Sequence, residues 1–124
     1  MKKIYYLGTC STCAAILQEA GILSDPDHLG FEVQDIKTKK ITARQLDQMK
    51  KMVGSYEALF SRRALKYKEL GLKDKSLSEK DYRQYILDEY TFLKRPVVII
   101  GEKIFIGSEK KNVAALLEAV RALR

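Results

Sequence analysis

An α/β fold is what this sequence predicts: a mixed sheet of about four strands flanked by helices, with a helical insertion in the middle of the chain. Three observations lead there. The N-terminal stretch reads as strand, helix, strand. The C-terminal stretch reads as two strands and an amphipathic helix. Between them lies a long helix-patterned segment without a linker, a repeat or a low-complexity tract. A length of 124 residues, 46% hydrophobic and 31% charged, suits one globular domain spanning 1–124, with the insertion at about 40–93.

Each element has a local reason. Ile4 to Gly8 is rich in β-branched and aromatic residues and stops at Gly8-Thr9, so it forms a buried strand. From Ser11 the pattern turns helical: Ala14, Leu17 and Gly21 recur at i, i+3 and i+7, and Gly21 offers a C-terminal cap. Ser24-Asp25-Pro26-Asp27-His28 is a loop by its turn residues, and Phe31 to Ile36 alternates as a second strand, parallel to the first. Thr42-Ala43-Arg44-Gln45 has the form of a capping box ahead of Leu46, Met49 and Val53, and Gly54 ends that helix. Ser55 to Leu70 gives one or two short helical pieces ending at Gly71. Ser78 opens a further helix with Tyr82, Tyr85, Ile86 and Tyr90 inward. Arg95-Pro96 closes the helical region, because proline disfavours helix in the residue before it. Val97 to Ile100 and Lys103 to Ile106 then form a hairpin about Gly101-Glu102, and Val113, Leu116, Leu117, Val120 and Leu123 stripe a last helix. This order is that of a thioredoxin-like domain carrying helical material between its halves.

Composition narrows the function classes. The apolar run at the N-terminus is too short for a signal-peptide core or a membrane span, so a cytoplasmic protein without membrane association is expected. The net charge of +7 is concentrated: residues 37–75 hold twelve Lys or Arg against four Asp or Glu, a balance of +8, leaving the remainder at −1. An anionic substrate, an acidic protein surface or nucleic acid could each use such a region. Solvated lysines on helix faces are the commoner explanation, and direct nucleic-acid binding is the weakest of these readings.

The two cysteines, three residues apart, cannot form the multi-bridge framework of small secreted domains. Cys10 falls just before a helix, where free backbone N–H groups and the helix dipole favour a thiolate. Cys13 lies one turn further on, close enough to attack a mixed disulfide on Cys10 and release the product. Ser11 or Thr12 could donate a hydroxyl hydrogen bond to a thiolate or a bound oxyanion. Other readings stay open: two cysteines that merely pack, or half of a zinc site, for which His28 is the only other soft ligand and four are needed. The strand-turn-helix setting favours redox chemistry and no metal, and His28 reads as a surface residue. Arg95, fixed before Pro96 at the mouth of a strand, is either an anion-binding cation beside the thiols or a solvated turn residue. Arg62 and Arg63 carry the same two readings.

Taken together, Cys10-Ser11-Thr12-Cys13 after Tyr5-Tyr6-Leu7-Gly8-Thr9, Leu59-Phe60-Ser61-Arg62-Arg63 leading to Tyr67-x-x-Leu70-Gly71-Leu72, and Leu93-Lys94-Arg95-Pro96-Val97-Val98-Ile99 through Gly107 resemble the ArsC/Spx family over nearly the whole chain. The resemblance implies a thioredoxin-like fold with a helical insertion and a cis proline at Pro96 next to the cysteine; no cofactor is expected. In the glutaredoxin-linked arsenate reductases of this family one cysteine attacks arsenate and several arginines neutralise the oxyanion. That cysteine corresponds to Cys10 and one arginine to Arg95, and a second arginine falls at or near Ser61-Arg62-Arg63. At the third arginine position, shortly after the hairpin, this chain has Phe105-Ile106-Gly107-Ser108. The Spx branch shares the full Cys-x-x-Cys, and there a thiol-disulfide switch binds the α subunit of RNA polymerase.

Two functions are therefore expected. In the first, the protein is a thiol-disulfide oxidoreductase resembling arsenate reductase, with Cys10 as nucleophile, Cys13 or glutathione resolving, and glutathione or glutaredoxin as reductant. In the alternative it is a redox-switch transcriptional regulator that binds the RNA polymerase α subunit.

Overall fold

The computed structural model of the chain describes residues 1–25 and 27–123; Pro26, which the sequence places in the Ser24–His28 loop, lies outside the described residues. The fold has a four-stranded sheet in the order β2-β1-β3-β4, from β1 (Lys2–Tyr6), β2 (Glu32–Asp35), β3 (Val97–Ile100) and β4 (Lys103–Ile106). β1 runs parallel to β2 and antiparallel to β3, and β3 pairs antiparallel with β4, which makes the sheet mixed as expected. Its helices are α1 (Ser11–Glu19), α2 (Ala43–Val53), α3 (Leu65–Glu69), α4 (Glu79–Asp88) and α5 (Lys110–Arg121). No described helix is long and apolar enough to cross a membrane.

Residues 1–39 and 95–124 make one compact unit, and residues 40–94 make a second. In the first unit, Ile4, Val98 and Phe105 from the sheet pack with Ile16 and Leu17 of α1, with Ala20 at its C-cap, and with Leu116 and Val120 of α5. Covering one sheet face with two amphipathic helices removes these side chains from water, at roughly 1.5–3 kcal/mol for each large apolar one fully buried. Lys3, only 5% exposed in β1, sets its Nζ 2.6 Å from Glu32 Oε1 on the paired strand and 5.3 Å from the Tyr5 ring centroid. A buried ammonium demands such partners.

In the second unit the Thr42 capping box is complete: Thr42 Oγ1 accepts from Gln45 N–H at 3.1 Å, and Gln45 Oε1 accepts from Thr42 N–H at 3.1 Å. Gly54 closes α2 in the left-handed region at φ 104. An aromatic cluster centres on fully buried Phe60, stacked on Phe92 at 4.9 Å and meeting Tyr82 at 4.9 Å and Tyr67 at 6.0 Å. A bridge between Phe60 and Leu93 ties the two ends of this stretch together.

The sequence reading is corrected at several edges. β1 begins at Lys2 and ends at Tyr6, because Leu7 instead starts a turn. α4 stops at Asp88 because Glu89 is extended (φ −140, ψ 110), so Tyr90 lies in a separate 3-10 turn and, like Tyr85, is only half-buried. Leu123 lies past the end of α5 and is exposed.

Candidate active site

β1 delivers the chain into a tight turn in which Cys10 N–H donates to the Leu7 carbonyl at 2.9 Å. Cys10 is then the N-cap of α1, with extended backbone (φ −90, ψ 108). Its carbonyl accepts from Ala14 N–H at 3.1 Å, and its Sγ accepts from Cys13 N–H at 3.5 Å. A sulfur thus fills the place where a serine or aspartate oxygen usually caps a helix. The first turn of α1 carries no acidic side chain, so nothing there opposes negative charge on that sulfur.

The second contribution comes from the residues just before β3. The Arg95–Pro96 peptide is cis, as the family resemblance implied. Arg95 is half-buried and reaches the Cys10 sulfur with a hydrogen bond and its positive charge. Gly107 N–H donates to the Pro96 carbonyl at 3.0 Å, which ties this turn to the end of β4. Asn112 of α5 completes the tie: its Oδ1 accepts from Ile106 N–H at 3.1 Å and its Nδ2 donates to the Gly107 carbonyl at 2.8 Å. The stretch after the hairpin, where the family resemblance sought another arginine, is thus a backbone junction held by an asparagine.

These surroundings split the two thiols. Burial works against a Cys10 thiolate, but the hydrogen bonds from the Cys13 backbone and thiol, together with the charge and hydrogen bond of Arg95, outweigh it and hold the Cys10 thiol below its ordinary range. Cys13 is fully buried. Burial first, and then its hydrogen bond to Cys10 and the Cys10 charge, push it up to about 12, while a backbone hydrogen bond from Leu7 and the Arg95 charge act in the opposite sense. Both cysteines are free thiols. Cys10, half-exposed and favouring the thiolate, has the properties of an attacker; Cys13, protonated and enclosed, does not. Once Cys10 is bonded to another atom, its charge and hydrogen bond no longer hold the Cys13 proton, so the second thiol becomes easier to ionise when it is needed.

Of the other site residues expected from the sequence, Ser11 and Thr12 lie exposed in the first turn of α1, beside the Cys10 sulfur in the chain. Arg62 and Arg63 belong to the second compact unit. There Arg62 Nη2 donates to Glu57 Oε2 at 2.8 Å and to the Tyr82 hydroxyl at 3.1 Å, so a carboxylate already holds it. Arg63 is exposed, and its backbone N–H donates to Ser61 Oγ at 3.3 Å. His28, expected at the surface, is half-buried with Nδ1 3.2 Å from the Ile22 carbonyl. Among the described residues no group of His, Cys, Asp and Glu could hold a metal ion.

Two contributors were missed by reading residues in order. Asn112 gave no signal beyond being polar near a helix start. Asp35 did give one: an aspartate at a strand end followed by Lys37-Thr38-Lys39 is a turn-forming pattern, and its carboxylate reaches the Gly8 backbone at 3.3 Å.

Solved structures with the same fold cover nearly all of this chain. An arsenate reductase from Vibrio cholerae is 18% identical, with 94% of this chain and 95% of that one covered and a TM-score of 0.72. A possible arsenate reductase from Streptococcus mutans is 25% identical (89% and 92% covered, TM-score 0.67), and a protein from Staphylococcus aureus is 26% identical (93% and 97% covered, TM-score 0.68). No curated protein matches the chain in sequence. A family model, that of the ArsC family, matches residues 5–116, from within β1 through the cysteine turn and the cis proline into α5. With nearly the whole chain matched and the thioredoxin-like α/β sheet in place, the protein belongs to the ArsC family.

Proposed function

We propose that the protein is a thiol-disulfide oxidoreductase that reduces arsenate or a related oxyanion in the cytosol, with Cys10 as nucleophile. The observation that carries this reading is the Cys10 sulfur capping α1 under Arg95, with a protonated Cys13 one turn away. The Cys10 thiolate attacks arsenic, an S–As bond forms, and one arsenate oxygen leaves as water after protonation. A second thiol, from Cys13 or from glutathione, then attacks the Cys10 sulfur. An S–S bond forms, the S–As bond breaks, and its electron pair stays on arsenic as arsenite. Two thiols are oxidised and arsenic gains two electrons. Glutathione or glutaredoxin returns the disulfide to thiols. Arg95, Ser11 and Thr12 suit the role of donors to the oxyanion, because Arg95 already faces the attacking sulfur and both hydroxyls are exposed in the first turn.

Arsenate-dependent oxidation of glutathione, followed with and without glutaredoxin, tests the proposal. Turnover that vanishes in Cys10→Ser is the expected result. No turnover with either reductant would refute arsenate as substrate and leave only the thiol exchange.

One observation favours a second reading, the redox switch that binds the RNA polymerase α subunit. Leu65 and Leu70, at 79% and 46% exposure, stand at the first residue and the C-cap of the short α3, in a stretch of chain that carries Arg62, Arg63, Lys66, Lys68, Lys73 and Lys75. Exposed leucines among cations suit an acidic protein face with an apolar centre. A pull-down with reduced and oxidised protein checks it: unequal recovery of RNA polymerase supports the switch, and equal or absent recovery counts against it.

A further inference from the structure

Gly8 is the second residue of the turn that ends in Cys10, since Cys10 N–H closes back onto the Leu7 carbonyl. Its φ lies outside the left-handed region, so conformational freedom does not explain a glycine here. Space does. A Cβ built on Gly8 would sit 2.6 Å from Asp35 Oδ2, and among the described residues beyond its chain neighbours it meets within 4 Å the Asp35 carboxylate alone. That oxygen accepts the Gly8 N–H at 3.3 Å.

Asp35 is itself well anchored. It ends β2 opposite Tyr6 of β1, and the next residue, Ile36, donates its N–H to the Tyr6 carbonyl at 2.9 Å. Its Oδ1 accepts the Lys37 N–H at 3.0 Å, and its carbonyl accepts the Lys39 N–H at 2.8 Å and the Thr38 hydroxyl at 3.3 Å. One carboxylate oxygen therefore locks the side chain into its own turn while the other reaches across to the cysteine turn. We propose that Asp35 is a positioning residue for Cys10: it clamps the Leu7–Cys10 turn through Gly8 and so fixes where the thiol sits at the head of α1. This rests on the reading of Cys10 as the nucleophile. The ionisable groups that act on the Cys10 thiol are Cys13 and Arg95, so Asp35 works through backbone placement rather than through its charge.

The test is the rate of iodoacetamide alkylation of Cys10 against pH, in the full chain, for Asp35→Ala, Asp35→Asn, Gly8→Ala and the Gly8→Ala/Asp35→Ala double variant. Asp35→Ala should slow alkylation at pH 7 by about threefold, the factor one weak hydrogen bond supports, and move the profile to higher pH. Asp35→Asn, which has one acceptor oxygen for the N–H groups of both Gly8 and Lys37, should lose part of the clamp and slow alkylation by less than Asp35→Ala. Gly8→Ala should slow alkylation when Asp35 is present and add nothing in the Asp35→Ala background, where the crowding carboxylate is gone. Three results would each overturn the proposal: an Asp35→Ala profile that overlays the wild type, Asp35→Ala and Asp35→Asn moving together to lower pH, or an equal Gly8→Ala effect in both backgrounds. If Asp35→Ala does not fold, Asp35→Asn and Gly8→Ala still decide, since the proposal requires both to slow alkylation, and an Asp35→Asn profile that overlays the wild type or moves to lower pH overturns it. Alkylation needs no arsenate, so a wild type inactive on arsenate would refute that substrate without touching this outcome.

Discussion

Arg95 donates a hydrogen bond to the sulfur of Cys10, and its charge acts on Cys13 as well. The two partners are far apart in sequence and meet because β1 and β3 are neighbours, with Tyr5 opposite Val97 in the antiparallel register. A cation fixed beside a nucleophile stabilises the thiolate and any anion that approaches it.

Arg95→Ala should therefore raise the Cys10 pKa and lower kcat on arsenate by about a hundredfold, the usual scale for removing one preorganised charge-stabilising donor. Iodoacetamide profiles and steady-state kinetics check the two effects separately. Arg95→Lys should restore part of the alkylation rate, because the charge remains, and less of the turnover, because the planar fork is lost.

Cys13→Ser should leave the first attack intact and remove the internal route to a disulfide. With glutathione disulfide present, a stable Cys10–glutathione adduct should accumulate, visible by mass spectrometry of the intact protein. In the wild type the adduct should be short-lived.

Stability should bend in opposite directions about pH 9. The folded Cys10 thiol titrates below its ordinary value, so over that interval the unfolded chain binds more protons and stability rises with pH up to the unfolded value near 9.0. Cys13 is pushed from 9.0 up to about 12, so above pH 9 the unfolded chain loses a proton that the folded chain keeps, and stability falls. Tyr5, raised by burial and then by Glu32 from 10.0 to about 12, adds a second fall from pH 10. Each such group contributes a slope of about 1.4 kcal/mol per pH unit where it differs by one proton. Urea midpoints from pH 7 to 11 measure this, and Cys13→Ala should flatten the decline between pH 9 and 10.

Phe60→Ala should destabilise the second compact unit by about 3–5 kcal/mol, because it removes a fully buried ring and the stacking partner of Phe92. Loss of near-ultraviolet circular dichroism and a lowered urea midpoint report it. A change below about 1 kcal/mol would mean the cluster repacks.

What could be read from the sequence was set by local physics. The Thr42–Gln45 capping box, the Gly54 cap and the hairpin about Gly101-Glu102 each depend on a few adjacent residues, and each stands in the structure. The turn holding Cys10 was legible for the same reason. The ends of α4 and α5 were not, since Tyr90 and Leu123 fit the apolar stripes by spacing and only the backbone bend at Glu89 and the helix end at Arg121 exclude them. The pairing of Asp35 with Gly8 was illegible because it crosses from β2 to the end of β1, and a glycine after a strand reads as an ordinary turn residue. Arg62 showed its charge in sequence, but its Glu57 and Tyr82 partners come from folding.

The meeting of Arg95 with Cys10 makes the thiol a gauge of its own folding. In an unfolded chain the cation is gone from the sulfur and the Cys13 amide no longer points at it, so Cys10 reverts to an ordinary, slower thiol at neutral pH. A molecule whose β3 has not docked onto β1 would carry the Cys10 thiol without the cation that favours its ionisation.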